Sequence, residues 1–138
     1  QGEPLDPQSE ATFEAARIDP DRRFQGGHTE LFSFYQALIR LRKELWGGFQ
    51  AVVAADERQQ LITVQWHSDN KQLLCLFNFS NQMQMVALPA SGCRWRTVLD
   101  SMRDLRGRSS TQETEALASK NYPLPPSSVV ALSMVCNR

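Results

Sequence analysis

Between residues 29 and 46 apolar side chains return every three or four positions, as Leu31, Phe32, Phe34, Tyr35, Leu38, Ile39, Leu41, Leu45 and Trp46. This spacing predicts an amphipathic helix with a broad apolar face. Thr29 stands where an N-cap belongs, with Glu30 in the first turn. Arg40, Arg42 and Lys43 lie near the negative end of the helix dipole, and Gly47-Gly48 supplies the stop. After Gly48 the period falls to two. Ala51 to Ala54 predicts a short strand that ends at the turn-like Asp56-Glu57-Arg58. Leu61 to His67 alternates, with Ile62, Val64 and Trp66 on one face and Thr63, Gln65 and His67 on the other. Ser68 to Lys71 reads as a hairpin turn.

Leu73 to Phe79 is apolar on both faces until Asn78, which predicts a central strand covered on two sides. Met83 to Leu88 is the next strand, and Pro89 to Gly92 a turn. Arg94 to Leu99 follows, with Trp95, Thr97 and Leu99 sharing a face opposite Arg94 and Arg96. The last strand is Val129 to Val135, introduced by Leu124-Pro125-Pro126. Residues 101 to 121 are polar and read as a long loop that holds a helical turn near Glu113 to Leu117. In the first 27 residues only Glu10 to Ala15, capped by Ser9, has helical character. Ile18-Asp19-Pro20 stops it, because the residue before a proline is driven from the α region. The fold class that results is mainly β. It is a small antiparallel β-sandwich of five or six strands, preceded by a loop region and one amphipathic helix.

Composition narrows the function classes. Leu, Ile, Val and Phe make up 33 of the 138 residues, about 24%, above the roughly 20% below which chains stay disordered. Fifteen basic residues balance fifteen acidic ones, so no broad electrostatic footprint points to a nucleic-acid partner. No apolar run approaches the ~18 to 20 residues that span a bilayer, and QGEPLDPQ has neither the basic nor the apolar part of a secretion signal. The expectation is a cytoplasmic chain with no membrane partner. It opens as if in mid-loop, which suggests a piece of something longer.

Chemistry is thinly represented. Cys75, Cys93 and Cys136 are widely spaced, lack a CxxC pair and read as buried reduced thiols. His28 and His67 stand far apart among polar neighbours, so no metal site is expected. Neither a nucleophile elbow nor a phosphate-cradling glycine loop is present, and no cofactor is expected. A retaining glycosidase needs two carboxylates about 5 to 5.5 Å apart, and the acidic residues here fall in turns, strand ends and the polar loop. Asn78-Phe79-Ser80 matches a glycosylation sequon but ends a central strand, so it reads as a chance match. Trp46, Trp66, Trp95, Tyr35 and Tyr122 could stack on sugar rings if exposed together. Trp66 and Trp95 fall in phase with apolar strand faces, where core packing is the default. Arg103, Arg106 and Arg108 form a local basic cluster that reads as solvated surface.

Two stretches in order, DPQSEATFEAARID at Asp6 to Asp19 and ELFSFYQALIRLRKEL at Glu30 to Leu45, resemble the end of the catalytic barrel in malto-oligosyltrehalose trehalohydrolases of the α-amylase superfamily. LLCLFNFS at Leu73 to Ser80 and LPPSSVVAL at Leu124 to Leu132 resemble strands of that superfamily's C-terminal domain. The resemblance implies that residues 1–48 are the last βα loop and final helix of a (β/α)8 barrel, and residues 49–138 an all-β C-terminal domain. Such loops line the catalytic face of a barrel, which would bring Asp6, Pro7 and Gln8 near a sugar-binding cleft without making them catalytic.

The family's catalytic carboxylates lie on earlier barrel strands, so no position here inherits their roles. The parent would release trehalose from maltooligosyl trehalose. This chain's partners would be the catalytic barrel of the parent and, only through it, an α-glucan, with self-association through residues 29–46 when the barrel is missing. The alternatives are an independent carbohydrate-binding module, with Trp66, Trp95 and Tyr122 exposed, and the tail of another α-amylase family enzyme.

Overall fold

The computed structural model describes residues 6–44, 50–68, 71–89, 93–105 and 120–136. Among the described residues there are seven strands: β1 (Gln50–Asp56), β2 (Leu61–His67), β3 (Gln72–Asn78), β4 (Gln84–Ala87), β5 (Arg94–Asp100), β6 (Asn121–Leu124) and β7 (Ser128–Val135). They form a five-stranded sheet in the order β1-β2-β3-β7-β5 and a two-stranded sheet of β4 and β6, with every pairing antiparallel. The helices are α1 (Glu10–Ala16), α2 (Gly27–Glu44) and the one-turn α3 (Ser101–Asp104), and Pro20–Phe24 is a 3-10 helix. This is the mainly β sandwich that the alternation predicts, with the helix as a third layer.

The register explains why there are two cores. Leu74 pairs with Leu132 and Leu76 with Val130, so these side chains share the face turned toward β4 and β6. There they meet Leu61, Val86, Leu88, Trp95, Tyr122 and Leu124. Leu76, Leu124 and Leu132 have no exposed surface, and Trp95 keeps 2%. On the opposite face Leu73, Cys75, Leu99 and Ala131 pack with Phe34 of α2, flanked by Leu38, Leu41, Trp66 and Phe77. Central β3 is thus covered on both sides, and its unbroken apolar run is required by that position.

Several expectations give way. Ile62, Val64 and Trp66 pair with Phe77, Cys75 and Leu73, so their row faces the helix side while Leu74 and Leu76 face the small sheet. The two rows are opposite faces of one sheet. Leu99 does not share a face with Trp95 and Thr97. Thr97 pairs with Leu132 but Leu99 with Ala131, and the extra residue, Val98, reverses the alternation. Leu99 therefore joins the helix-side core.

Ser101–Asp104, at the start of the stretch read as loop, is the helical turn α3. β6 begins at Asn121, the last residue of that stretch, and runs through Leu124, residues assigned to no strand by their pattern. It is four residues long and carries Pro123, which an edge strand tolerates because it needs no second partner. Thr29 lies inside α2 rather than capping it. Gly26, at φ +49°, turns the chain so that its carbonyl and that of Gln25 accept from the N–H groups of Thr29 and His28, starting the helix earlier. At α1 Ser9 holds the cap position in extended conformation, but its side chain makes no capping bond. Asp19-Pro20 ends one helix and begins another element: Asp19 Oδ1 accepts from Asp21 N–H at 2.9 Å, and Pro20 sits at the first position of the 3-10 helix. The helix end at Leu45 to Gly48, the turn residues 69–70 and 90–92, and the helical turn at Glu113 to Leu117 lie outside the described residues.

Candidate functional site

Asp6 and Gln8 form a local turn at the surface. Asp6 Oδ1 accepts from Gln8 N–H at 2.9 Å, and the Asp6 carbonyl accepts from Ser9 N–H at 3.1 Å, leading the chain into α1. Both side chains are exposed. Beyond α1, the 3-10 helix packs on α2, where the Arg23 guanidinium lies 4.7 Å from the centre of the Phe24 ring and 6.0 Å from that of Phe32. Between these elements runs an apolar groove of about 460 Å³ lined by Ile18, Pro20, Arg23, Leu31, Phe32 and Tyr35. The stripe of α2 not seated on the sheet is thus itself apolar: Leu31, Phe32, Tyr35 and Ile39 are all exposed. A second cleft, about 350 Å³, opens between α2 and the sheet, lined by Leu38, Leu41, Arg42, Trp66, Cys75 and Phe77.

The aromatic residues do not make a sugar platform. Trp95 and Tyr122 are buried in the core between the sheets, and Trp66 is half-buried in the cleft beneath α2. The Trp95 indole N–H points to the Pro89 carbonyl at 3.4 Å, anchoring the ring from inside. Of the eleven acidic residues described, eight are exposed, and Glu30, Asp100 and Asp104 are half-exposed. Asp100 and Asp104 are spent on α3: Asp100 Oδ1 accepts from Met102 N–H, and Asp104 Oδ2 accepts from Asp100 N–H, each at 2.9 Å. Arg103 of the predicted basic cluster is half-buried on this turn, while Arg106 and Arg108 lie outside the described residues. Among the described residues no group of three or more His, Cys, Asp or Glu is placed to hold a metal ion.

The most elaborate polar arrangement was not recognised in the sequence. Asn78, 2% exposed, ends β3. Its Nδ2 donates to the carbonyls of Gln82 and Pro125 at 2.8 Å and of Leu124 at 3.2 Å. Its Oδ1 accepts from Ser80 N–H at 2.9 Å and from Ser80 Oγ at 2.7 Å. Ser80 Oγ also accepts from the Gln84 amide at 3.2 Å, and the Ser80 carbonyl accepts from Ser127 N–H at 3.0 Å. One side chain therefore ties the end of β3 to the entry of β4 and to the β6–β7 turn. The signal was present in the sequence as an Asn closing an otherwise apolar central strand. Its amide nitrogen is fully engaged and shut from solvent.

Burial pushes the Cys75 thiol up to about 12. Tyr122 is also raised, chiefly by burial and then by the nearby Asp100 carboxylate, against a hydrogen bond with Thr97 and the charge of Arg103. The expectation of three reduced buried thiols holds for Cys75 alone. Cys93 and Cys136 are joined in a disulfide with Cα atoms 4.6 Å apart. The β5–β7 register pairs Arg94 with Val135, so one step further along the ladder these two cysteines face each other. Their separation of 43 residues conceals this, because β6 intervenes in the other sheet.

Residues 48–131 match the profile of a family described as domain of unknown function, DUF3459. The chain belongs to this family, a C-terminal domain of α-amylase-family enzymes. A search of curated protein sequences returns no match to the chain.

Among solved structures, it is similar to the trehalose-6-phosphate hydrolase of Bacillus licheniformis, with 16% identity and a TM-score of 0.58 over 87% of this chain and 22% of that one. A mutant of trehalulose synthase from crystals soaked with trehalulose is similar at 19% identity and a TM-score of 0.54, over 94% of this chain and 24% of that one. A mutant of isomaltulose synthase from Erwinia rhapontici in complex with D-glucose follows at 14% identity and a TM-score of 0.57, over 87% and 22%. The DUF3459 chain thus spans less than a quarter of the length of these proteins, and the likeness concerns the fold.

Proposed function

We propose that this DUF3459 chain is the non-catalytic C-terminal part of an α-amylase-family glycoside hydrolase that releases trehalose from maltooligosyl trehalose. Residues 1–48 would be the last βα loop and final helix of the parent's barrel, and residues 49–138 its C-terminal domain. The observation that carries this reading is the double-sided use of α2. Phe34 and Leu38 seat the helix on the sheet, while Leu31, Phe32, Tyr35 and Ile39 leave a second apolar stripe for something else to cover. A helix that is apolar over this much of its circumference belongs between two layers. The family match across residues 48–131 supports reading the missing layer as a catalytic barrel, since the family is a C-terminal domain of α-amylase-family enzymes.

On this reading the Asp6-Pro7-Gln8 turn sits on the catalytic face, where βα loops gather, and shapes the cleft without taking part in bond cleavage. Hydrolysis with retention needs one carboxylate as nucleophile and another as acid, both supplied by the parent's earlier strands. The burial of Trp95 and Tyr122 favours this reading over a free-standing carbohydrate-binding module. We place the parent in the cytoplasm. There thiols are kept reduced, so the Cys93–Cys136 disulfide would open to a dithiol in the cell and close again on oxidation.

The test is a product analysis of the full-length parent given maltooligosyl trehalose, trehalose-6-phosphate or sucrose. Trehalose from the first substrate alone supports the proposal. Turnover of either other substrate, with maltooligosyl trehalose untouched, rejects the trehalohydrolase reading.

A further inference from the structure

The five-stranded sheet has two edges, and among the described residues only one of them is guarded. At one end β5 carries the Val98 bulge, the charges of Arg94 and Arg96, and a disulfide at its start. Charge and bulges are the devices by which edge strands avoid pairing with another chain. At the other end β1 pairs with β2 through all seven residues, Gln50 with His67 through Asp56 with Leu61, and no bulge interrupts the ladder. From Ala51 to Ala55 it carries no charge, proline or glycine. All seven residues are exposed, Val52 by 57% and Val53 by 64%. Among the described residues no strand lies on its outer side. A row of backbone N–H and C=O groups flanked by apolar side chains fits one kind of partner, another extended chain.

The sequence of β1 indicates which chain. Two copies related by a two-fold axis perpendicular to the sheet meet antiparallel. Facing residues must then project to the same side, so their position numbers sum to an even number. The register centred on Val53 meets this condition and pairs every residue of the strand. Val53 faces Val53, Val52 faces Ala54, Ala51 faces Ala55 and Gln50 faces Asp56. Small apolar side chains meet along the middle without crowding. At each end the Gln50 amide is opposite the Asp56 carboxylate, a donor facing an acceptor, and one Asp56 oxygen is already fixed by Gln59 N–H at 3.0 Å.

We propose that β1 is a homodimerisation edge, through which two copies of this chain join antiparallel over Gln50–Asp56 into one continuous sheet. The proposal does not depend on what the parent enzyme hydrolyses. Sedimentation velocity on the 138-residue chain, from low to high micromolar, tests it against association through the open face of α2. The wild-type chain and the Tyr35→Glu/Ile39→Lys double variant on α2 should both dimerise. Val53→Lys, which sets like charges against each other at the two-fold, should weaken the dimer at least about tenfold.

Val53→Cys should form a covalent dimer on oxidation, because facing Cα atoms in an antiparallel pair lie about 4.5 to 5.5 Å apart, within disulfide range. If Val53→Lys fails to fold, amide exchange of the wild-type chain decides. Protection that rises with concentration and is confined to β1 supports the edge. A wild-type chain that stays monomeric, protection unaffected by concentration, or a dimer lost in the α2 variant but kept in Val53→Lys overturns the proposal.

Discussion

Asn78 shows how much of the fold one polar side chain can organise. Asn78→Ala would remove the side-chain partner of the Leu124 carbonyl and of the Ser80 N–H, and would leave the Pro125 and Gln82 carbonyls with only the Ser128 and Ser80 hydroxyls. Each buried polar group left unsatisfied costs about 1 to 3 kcal/mol. We expect urea denaturation to show a loss of about 3 kcal/mol or more, with Asn78→Asp little better because a carboxylate cannot donate to those carbonyls. An unchanged midpoint would mean that water replaces the amide.

Trp95 gives the apolar counterpart. Trp95→Ala should cost about 3 to 5 kcal/mol, the range for removing a large buried aromatic, and a midpoint unmoved by the substitution would contradict its place in the core. Cys75 adds a pH dependence. Its folded thiol holds its proton up to about 12, whereas the unfolded thiol releases it near 9.0. Stability from this group is therefore complete below pH 9 and is lost as pH rises toward 12, since the unfolded state ionises first. Denaturation midpoints above pH 9 should fall less steeply in Cys75→Val, and a thiol-alkylating reagent at pH 8 should label Cys75 only after unfolding.

At the scale of elements, what could be read in the sequence follows from how local each signal is. The period of α2 and the alternation of β2 and β5 arise within each segment, so their existence was legible, as was the doubly covered β3. Pairing between distant segments was not. The Val98 bulge moves Leu99 to the other core only because β7 lies beside β5. The same pairing creates the disulfide, and β6 becomes a strand only by lying against β4. Asp6 and Gln8 could be singled out by resemblance, yet their turn gives them no buried partner that would have marked them independently.

The disulfide closes a loop spanning 43 residues between the ends of adjacent strands. It should stabilise the oxidised chain by about 2 to 4 kcal/mol. Thermal unfolding with and without reductant measures this, and the reductant effect should vanish in Cys93→Ser/Cys136→Ser. Equal melting temperatures with and without reductant in the wild-type chain would contradict a structural role.

At the scale of the whole molecule, the chain is three layers: a two-stranded sheet, a five-stranded sheet and a helix whose outer stripe faces away from both. The first two layers enclose an apolar core bordered by the buried Asn78 network, and the third offers an apolar surface suited to a larger neighbour. No helix of the described residues is long and apolar enough to cross a membrane. The partner proposed for the exposed stripe is the barrel. The account therefore divides labour within the parent, with bond cleavage in the barrel and structural completion in this chain. Trehalose release from maltooligosyl trehalose, measured side by side for the 138-residue chain and the full-length parent, tests that division most directly. The account predicts turnover by the parent and none above a buffer blank for the chain alone. Turnover by the isolated chain that survives repurification would contradict it.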